Sequence, residues 1–206
     1  MQTATQVILF DLGGVLVELG PSPFPVEVEF VMDVWQESKA ALAFEKGFTT
    51  AVEFAHALIA EHDIDCDIGM LIDHFRSWPR GPYPRVYELL SAVRQRYRVA
   101  ILTNTNALHW SRFHDEFALH EYCERIFASH QLGMAKPEPE IFEYVIGALD
   151  APPAHILFVD DNAANVAAAG ARGMQAVQAR GFEAVVESLA SRGIIDTAGQ
   201  FPATGV

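Results

Sequence analysis

Three short apolar segments of this chain each end in polar side chains, and this repeated pattern is the feature that most constrains its fold. Residues 7–10 run into Asp11, residues 99–102 into Thr103, and residues 156–159 into Asp160 and Asp161. Apolar runs of this length that stop at a polar turn are typical of buried strands. Weaker runs at 126–128 and 176–177 indicate two further strands.

Helical patterns separate these strands. Residues 86–96 carry apolar side chains at a spacing of three, one and three, which lies on one face of a helix. Pro139–Leu149 repeats the pattern, and prolines at 152 and 153 stop it, while residues 162–172 form a third, alanine-rich helix. Strands that alternate with helices predict an α/β fold with a Rossmann-like parallel sheet.

The stretch between residues 18 and 84 interrupts this alternation and predicts an inserted helical cap. We assign residues 1–17 and 85–206 to the Rossmann-like core and residues 18–84 to the cap. Thr50 and Glu53 have the spacing of a capping box before a helix over 51–61. The apolar face expected for that helix consists of Val52, Phe54, Ala55, Leu58 and Ile59. Most of the aromatic residues of the insertion are expected in its core: Trp35, Phe44, Phe48 and Trp78.

Composition excludes several classes of function. The chain of 206 residues has 14 Lys and Arg against 27 Asp and Glu, a formal charge of −13, which repels nucleic acids and anionic membranes. Cys66 and Cys123, which are far apart in the sequence, do not form a disulfide framework of the secreted kind. No basic segment precedes the first apolar run, as it would in a signal peptide, and no apolar run approaches the 18 residues of a membrane span. We therefore expect a cytoplasmic protein with no membrane span and no nucleic-acid partner, and the sequence indicates no partner protein. The residues from 196 onwards are expected to form a loose tail.

The polar residues at the strand ends predict a site. In a parallel α/β sheet, ligands bind at the carboxyl edge of the strands, so Asp11, Thr103, Asp160 and Asp161 would face one crevice. Two carboxylates about 4 Å apart repel by about 4 kcal/mol at an effective dielectric of about 20, so a cation is expected among them. Oxygen ligands without Cys or His favour Mg²⁺ over Zn²⁺. Lys136 would add a positive charge, and the combination indicates phosphate chemistry.

Each of these elements is ordinary when it is taken alone. An Asp-Gly turn is common after a strand, Asn162 can simply cap the next helix, and most lysines are solvated surface groups. The prediction therefore depends on the four elements occurring in order at the ends of the expected strands.

Four segments resemble the ordered motifs of the haloacid dehalogenase superfamily of hydrolases: residues 10–16 (FDLGGVL), 102–106 (LTNTN), 136–137 (KP) and 159–162 (VDDN). Residues 129–134 and 160–165 are similar to stretches of the bacterial branch that includes α-D-glucose-1-phosphate phosphatase. The resemblance covers most of the chain, and it implies an HAD-like fold and a Mg²⁺-dependent phosphatase that forms an aspartyl phosphate. It implies Asp11, Thr103 and Lys136 as catalytic residues and Thr103, Asn104 and Lys136 as substrate-binding residues. The metal ligands that it implies are Asp11, the Gly13 carbonyl, Asp160 and Asp161.

The sequence departs from the family pattern at Gly13, where related phosphatases usually carry an aspartate that serves as general acid and base. A positioned acid or base contributes typically about 10²–10⁴-fold, so its loss slows the reaction without abolishing it. The glucose-1-phosphate branch resembles this chain in having glycine here. We consider Glu18 and His109 as replacements.

The cap is expected to close over the crevice and to select the leaving group. Its excess of acids favours a small substrate with one phosphate and a neutral polar body, such as a sugar phosphate. Two alternatives stay open: a 2-haloacid dehalogenase, which would need no metal, and a non-catalytic phosphate-binding module. The paired aspartates argue against the first, and retention of Asp11 argues against the second.

Overall fold

The computed structural model describes residues 5–24 and 38–196, which form two β-sheets and the helices that flank them. The strands are β1 (Val7–Phe10), β2 (Val17–Leu19), β3 (Pro79–Pro82), β4 (Arg98–Thr103), β5 (Arg125–Ala128), β6 (Ile156–Asp160) and β7 (Gln175–Gln178). Five of them form a parallel sheet in the order β5-β4-β1-β6-β7, and β2 pairs with β3 in an antiparallel ribbon. The predicted α/β fold with a Rossmann-type sheet is confirmed.

The helices are α1 (Lys39–Glu45), α2 (Ala51–His62), α3 (Ile68–Ser77), α4 (Val86–Val93), α5 (Ala107–Ser111), α6 (Ser129–Leu132), α7 (Pro139–Leu149), α8 (Ala163–Ala171) and α9 (Phe182–Ser191). A π-helical turn, Arg112–Glu116, continues α5. Short 3₁₀ turns lie at Leu119–Tyr122 and Pro153–His155. In the part of the chain described, no helix is long and apolar enough to cross a membrane.

The central strand β1 is buried on both faces, which explains why its sequence is apolar without alternation. Ile8 and Phe10 pack in a cluster with α4 and α9, whereas Val7 and Leu9 pack on the other face with α7 and α8. The sheet is therefore the middle layer of three. Its carboxyl edge is left for the loops that follow the strands.

Helices α1–α3 pack around an apolar cluster of their own. Phe44 and Phe54 stack at its centre with ring centroids 4.5 Å apart. The expected capping box is present, because Thr50 accepts from the Glu53 amide and Glu53 accepts from the Thr50 amide. Among the described aromatic residues expected in the core, Phe44 and Trp78 are buried and Phe48 is 67% exposed. The expectation that Val52 belongs to the buried face of α2 is wrong, because Val52 is 52% exposed. Phe48 and Val52 both lie on the outer side of the cluster, which a single helix or loop pattern does not reveal.

Further features concern the predicted cap, the two cysteines and the predicted tail. Residues 79–82 form β3 and pair with β2, so this stretch contributes a strand where few were expected. Cys66 and Cys123 are free thiols. Trp35 and residues 197–206 of the expected tail lie outside the described residues.

Candidate active site

The carboxyl edge of the sheet brings the predicted acidic residues together. Because β1 pairs with both β4 and β6, the residues after these three strands meet at one edge. Asp11, Asp160 and Asp161 each offer a carboxylate oxygen within 4.8 Å of the other two. Asp11 and Asp160 are buried, and Asp161 is half-buried. The three acids therefore form one cluster.

Lys136 reaches this cluster from the loop before α7. Its Nζ donates to Asp11 Oδ1 at 2.7 Å, to Asp160 Oδ2 at 2.7 Å and to the Leu102 carbonyl at 3.0 Å. An ammonium group has three N–H donors, so all three are used within the protein. The side chain is 1% exposed. Lys136 thus holds the loop after β1 and the end of β6 at a fixed distance.

Asn104 fixes the backbone of Lys136. Its carboxamide donates to the Lys136 carbonyl and accepts from the Lys136 amide, both at 2.8 Å. Ser129 fixes Thr105, the residue after Asn104. The Ser129 hydroxyl accepts from the Thr105 amide at 2.8 Å and donates to the Thr105 carbonyl at 2.9 Å. Sequence reasoning missed Ser129. The Asn104 side chain is thus used to position Lys136, and its role toward substrate stays a prediction.

Asp160 and Asp161 differ in their surroundings although they are adjacent. Asp160 is fully buried, and its two oxygens accept from Lys136, from the Asn162 amide at 2.8 Å and from Asn165 Nδ2 at 3.1 Å. Asp161 instead borders the cavity in front of Asp11. Asp160 therefore orients Lys136 from behind, and Asp161 presents its carboxylate to a ligand. Asn165 was missed as a site residue, and its spacing of five from Asp160 into a helix is the signal that could have shown it.

The electrostatics of the cluster follow from burial and from its charges. Burial raises the pKa of Asp11 to about 7, against the Lys136 charge, which lowers it, and with the Asp160 charge, which raises it further. Burial and the Asp160 charge also raise the pKa of Asp161. Burial lowers the pKa of Lys136, but the charges of Asp11 and Asp160 outweigh this and raise it. The acids thus have more negative charge than one ammonium compensates, and a divalent cation with oxygen ligands fits this donor set.

Gly13 and Gly14, in the loop after β1, have different neighbours. Gly14 has φ +74°, and a Cβ there would lie 2.6 Å from Asp161 Oδ2. Its carbonyl accepts from the Gly181 amide at 2.7 Å, which ties the segment after β7 to this loop. A Cβ at Gly13 would lie 3.2 Å from Leu19 Cδ1, so the place of the family's usual aspartate borders an apolar side chain.

The two candidates for the missing acid differ in position. His109 is buried, its Nε2–H donates to the Phe75 carbonyl at 2.7 Å, and its Nδ1 accepts from Asn106 Nδ2 at 3.2 Å. Burial lowers its pKa to about 4. Both ring nitrogens of this neutral ring are thus used: Nε2 joins α5 to α3, and Nδ1 bonds to the residue that caps α5. Glu18 is exposed and lies 3.7 Å from Arg80.

A cavity of about 700 Å³ lies between this cluster and the inserted helices. Its floor includes Asp11, Gly13, Thr103, Lys136 and Asp161. Leu19, Leu42, Phe75 and Trp78 contribute apolar wall from the inserted segment. Lys46, at the end of α1, pairs with Glu138 of the Lys136 loop at 2.5 Å, so α1 contacts the loop at the carboxyl edge of the sheet. The volume is in the range of small-ligand pockets, about 300–1,000 Å³.

The chain is similar to several known proteins in sequence and in structure. The family model that describes haloacid dehalogenase-like hydrolases matches residues 5–173. D-ribitol-5-phosphate phosphatase of Bacteroides thetaiotaomicron is 28% identical over 177 residues, 77% of this chain and 84% of that protein. A HAD-family enzyme of the same organism, crystallised with magnesium and inorganic phosphate, has a TM-score of 0.72 at 26% identity, over 86% of this chain and 95% of that one. L-2-haloacid dehalogenase of Xanthobacter autotrophicus has a TM-score of 0.66 at 21% identity, over 93% and 85% of the two chains, which shows a shared fold.

Proposed function

The chain belongs to the haloacid dehalogenase-like hydrolases, and from this membership and its site we propose that it is a Mg²⁺-dependent phosphatase of small phosphorylated metabolites. The observation that carries the proposal is the buried cluster of Asp11, Asp160, Asp161 and Lys136 at the floor of the cavity. A relative that is a sugar-alcohol phosphatase and a structural neighbour crystallised with magnesium and phosphate support it.

In the proposed reaction, Asp11 is the nucleophile. One of its carboxylate oxygens attacks the phosphorus atom, the bond from phosphorus to the ester oxygen breaks, and the leaving alkoxide takes a proton from water to become an alcohol. Water then attacks the aspartyl phosphate, releases inorganic phosphate and restores the carboxylate. Lys136 lowers the pKa of Asp11 and orients its carboxylate, and Thr103, which is buried at the end of β4 in the same cavity lining, donates its hydroxyl to a phosphoryl oxygen.

The magnesium ion would be held by Asp11, Asp161 and the Gly13 carbonyl, with Asp160 adding negative charge from behind or a further ligand. When bound, it supplies positive charge that stabilises a phosphoryl group in transfer. Burial and the neighbouring carboxylate charges raise the pKa values of Asp11 and Asp161, and a cation held between these groups would favour their ionised forms.

We further propose a sugar or sugar-alcohol phosphate as the substrate. The cavity has room for a ligand of this size, and Asn162 and Gln178 on its walls can bond to hydroxyl groups. The glycine at position 13 is compatible with an ester at an anomeric carbon, because an anomeric hydroxyl is more acidic than an ordinary alcohol and leaves with less proton assistance. Membership of the glucose-1-phosphate phosphatase branch stays a prediction.

The test is a panel of sugar, sugar-alcohol and small-acid phosphates, assayed with Mg²⁺ and with EDTA. Asp11→Asn is the blank, and Asp115→Asn, a change of the same kind at an exposed acid outside the cavity, is the matched control. We expect phosphate release by the native protein and the control, and none with Asp11→Asn or EDTA. Halide release from 2-chloropropionate that survives EDTA would instead indicate a dehalogenase. Capture of beryllofluoride without hydrolysis of any ester would indicate a binding module.

A further inference from the structure

Arg180 is a charged residue of the cavity wall to which the reaction proposed above gives no role. It follows β7, and its segment is fastened by two hydrogen bonds: Gln178 donates to the Asp161 carbonyl at 2.9 Å, and the Gly181 amide donates to the Gly14 carbonyl at 2.7 Å. Arg180 Nε lies 3.7 Å from Asp161 Oδ2, and the side chain is 70% exposed. The backbone therefore holds Arg180 at the rim of the site while its guanidinium stays free to turn.

The cavity lining has few positive charges that could contact a phosphoryl group, and Arg180 carries one of them. Among the described residues that line the cavity, two carry a permanent positive charge, Lys136 and Arg180. Lys136 donates all three of its N–H groups to protein oxygens. The three clustered carboxylates exceed its single charge by two, which one divalent cation balances. Arg180 is then the positively charged side chain of the described lining that is still available to the two negative charges of a phosphate monoester.

The distance is compatible with such a contact. Asp161 has an oxygen within 4.8 Å of an Asp11 oxygen, and Arg180 Nε lies 3.7 Å from Asp161 on the solvent side. Arginine presents five N–H donors in a planar fork that matches two oxygens of a phosphoryl group. In the structure Asp161 faces Arg180 without a hydrogen bond, so binding of a metal by Asp161 would free the guanidinium to face the ligand.

We propose that Arg180 is a substrate-binding residue that contacts the phosphoryl group of the bound ester. This assignment rests on the proposed phosphatase function, because it takes a phosphoryl group as the ligand of the cavity. It adds to the proposed contact from Thr103 a contact supplied by the loop after the edge strand β7. The contact is to phosphate oxygens and therefore does not depend on the identity of the leaving group.

The test measures binding of inorganic phosphate by calorimetry at saturating Mg²⁺. The variants are Arg180→Gln, Arg180→Lys and the control Arg80→Gln, which removes an exposed arginine that also lies 3.7 Å from a carboxylate, that of Glu18, and that is outside the cavity lining. A charge-assisted hydrogen bond predicts about 10-fold or greater weakening for Arg180→Gln. We expect partial recovery with Arg180→Lys and less than about twofold change for the control, since surface ion pairs contribute little.

Other outcomes separate the competing roles. Unchanged phosphate affinity with Arg180→Gln overturns the assignment, and so does a raised KM for one ester with unchanged phosphate affinity, which would mean contact with the leaving group. An altered Mg²⁺ affinity without an effect on phosphate also overturns it, because Arg180 would then act only on Asp161. If the native protein hydrolyses no phosphate ester, the proposed function fails, whereas the phosphate titrations of the native and variant proteins still report on Arg180.

Discussion

The burial of His109 predicts that the free energy of unfolding depends on pH in a specific way, which can be measured. The ring packs against Phe75 at 4.4 Å between centroids and is bonded through both nitrogens as a neutral group. A second proton would have to sit on Nδ1, which faces the amide donor of Asn106. The positive charge of Arg112 opposes that proton as well. The folded protein is therefore expected to resist protonation at this position.

The size of the effect follows from the pKa of His109 in the two states. Because the folded pKa, about 4, is below the unfolded value of 6.5, the unfolded chain binds the proton first. The stabilisation is complete above 6.5 and is lost as the pH falls toward 4. Linkage gives a loss of about 2 kcal/mol in the free energy of unfolding between pH 7.5 and pH 5.

Urea unfolding of the native protein and of His109→Gln at the two pH values isolates this contribution, because all other groups titrate in both proteins. The native protein should be the more stable at pH 7.5, and its advantage should shrink by about 2 kcal/mol at pH 5. His56→Gln, at an exposed position on α2, is the matched control for the removal of a histidine. An advantage that is equal at both pH values would refute the burial argument.

Two further predictions concern the loops around the acids. Gly14→Ala should lower the affinity for Mg²⁺, measured by calorimetry, because the new Cβ lies 2.6 Å from Asp161 Oδ2, and φ +74° should cost about 1–2 kcal/mol of stability; unchanged metal affinity would contradict this. Asn104→Ala removes both hydrogen bonds to the Lys136 backbone and should cost about 1–3 kcal/mol in thermal unfolding together with a loss of kcat. A stable variant with native kcat would show that the loop holds Lys136 without this side chain.

Local sequence signals predicted those helices whose ends are set by neighbouring residues. Pro139–Leu149 was bounded correctly because a proline can open a helix and a following proline pair ends it. The Thr50–Glu53 capping box likewise depends on four neighbouring residues alone. Strand ends were less well predicted: β4 extends by one residue at each end of the expected run, to Arg98 and Thr103, because pairing with β1 and β5 sets its length.

The order of polar residues after apolar strands was enough to determine an α/β sheet and a set of acids at one of its edges. The carboxyl ends of neighbouring parallel strands lie at the same edge of the sheet, so the residues that follow these strands lie close together. The sequence by itself therefore predicts that Asp11, Asp160 and Asp161 form a cluster.

The tertiary structure alone decided how these residues divide their roles. Lys136 bonds to Asp11 across 125 positions of the chain, Asp160 turns inward, and Asp161 turns to the cavity beside Arg180. Adjacent aspartates look equivalent in a sequence, and an isolated arginine has no motif. Their burial, and hence their charge and availability to a ligand, depends on side chains that reach the same place from distant segments.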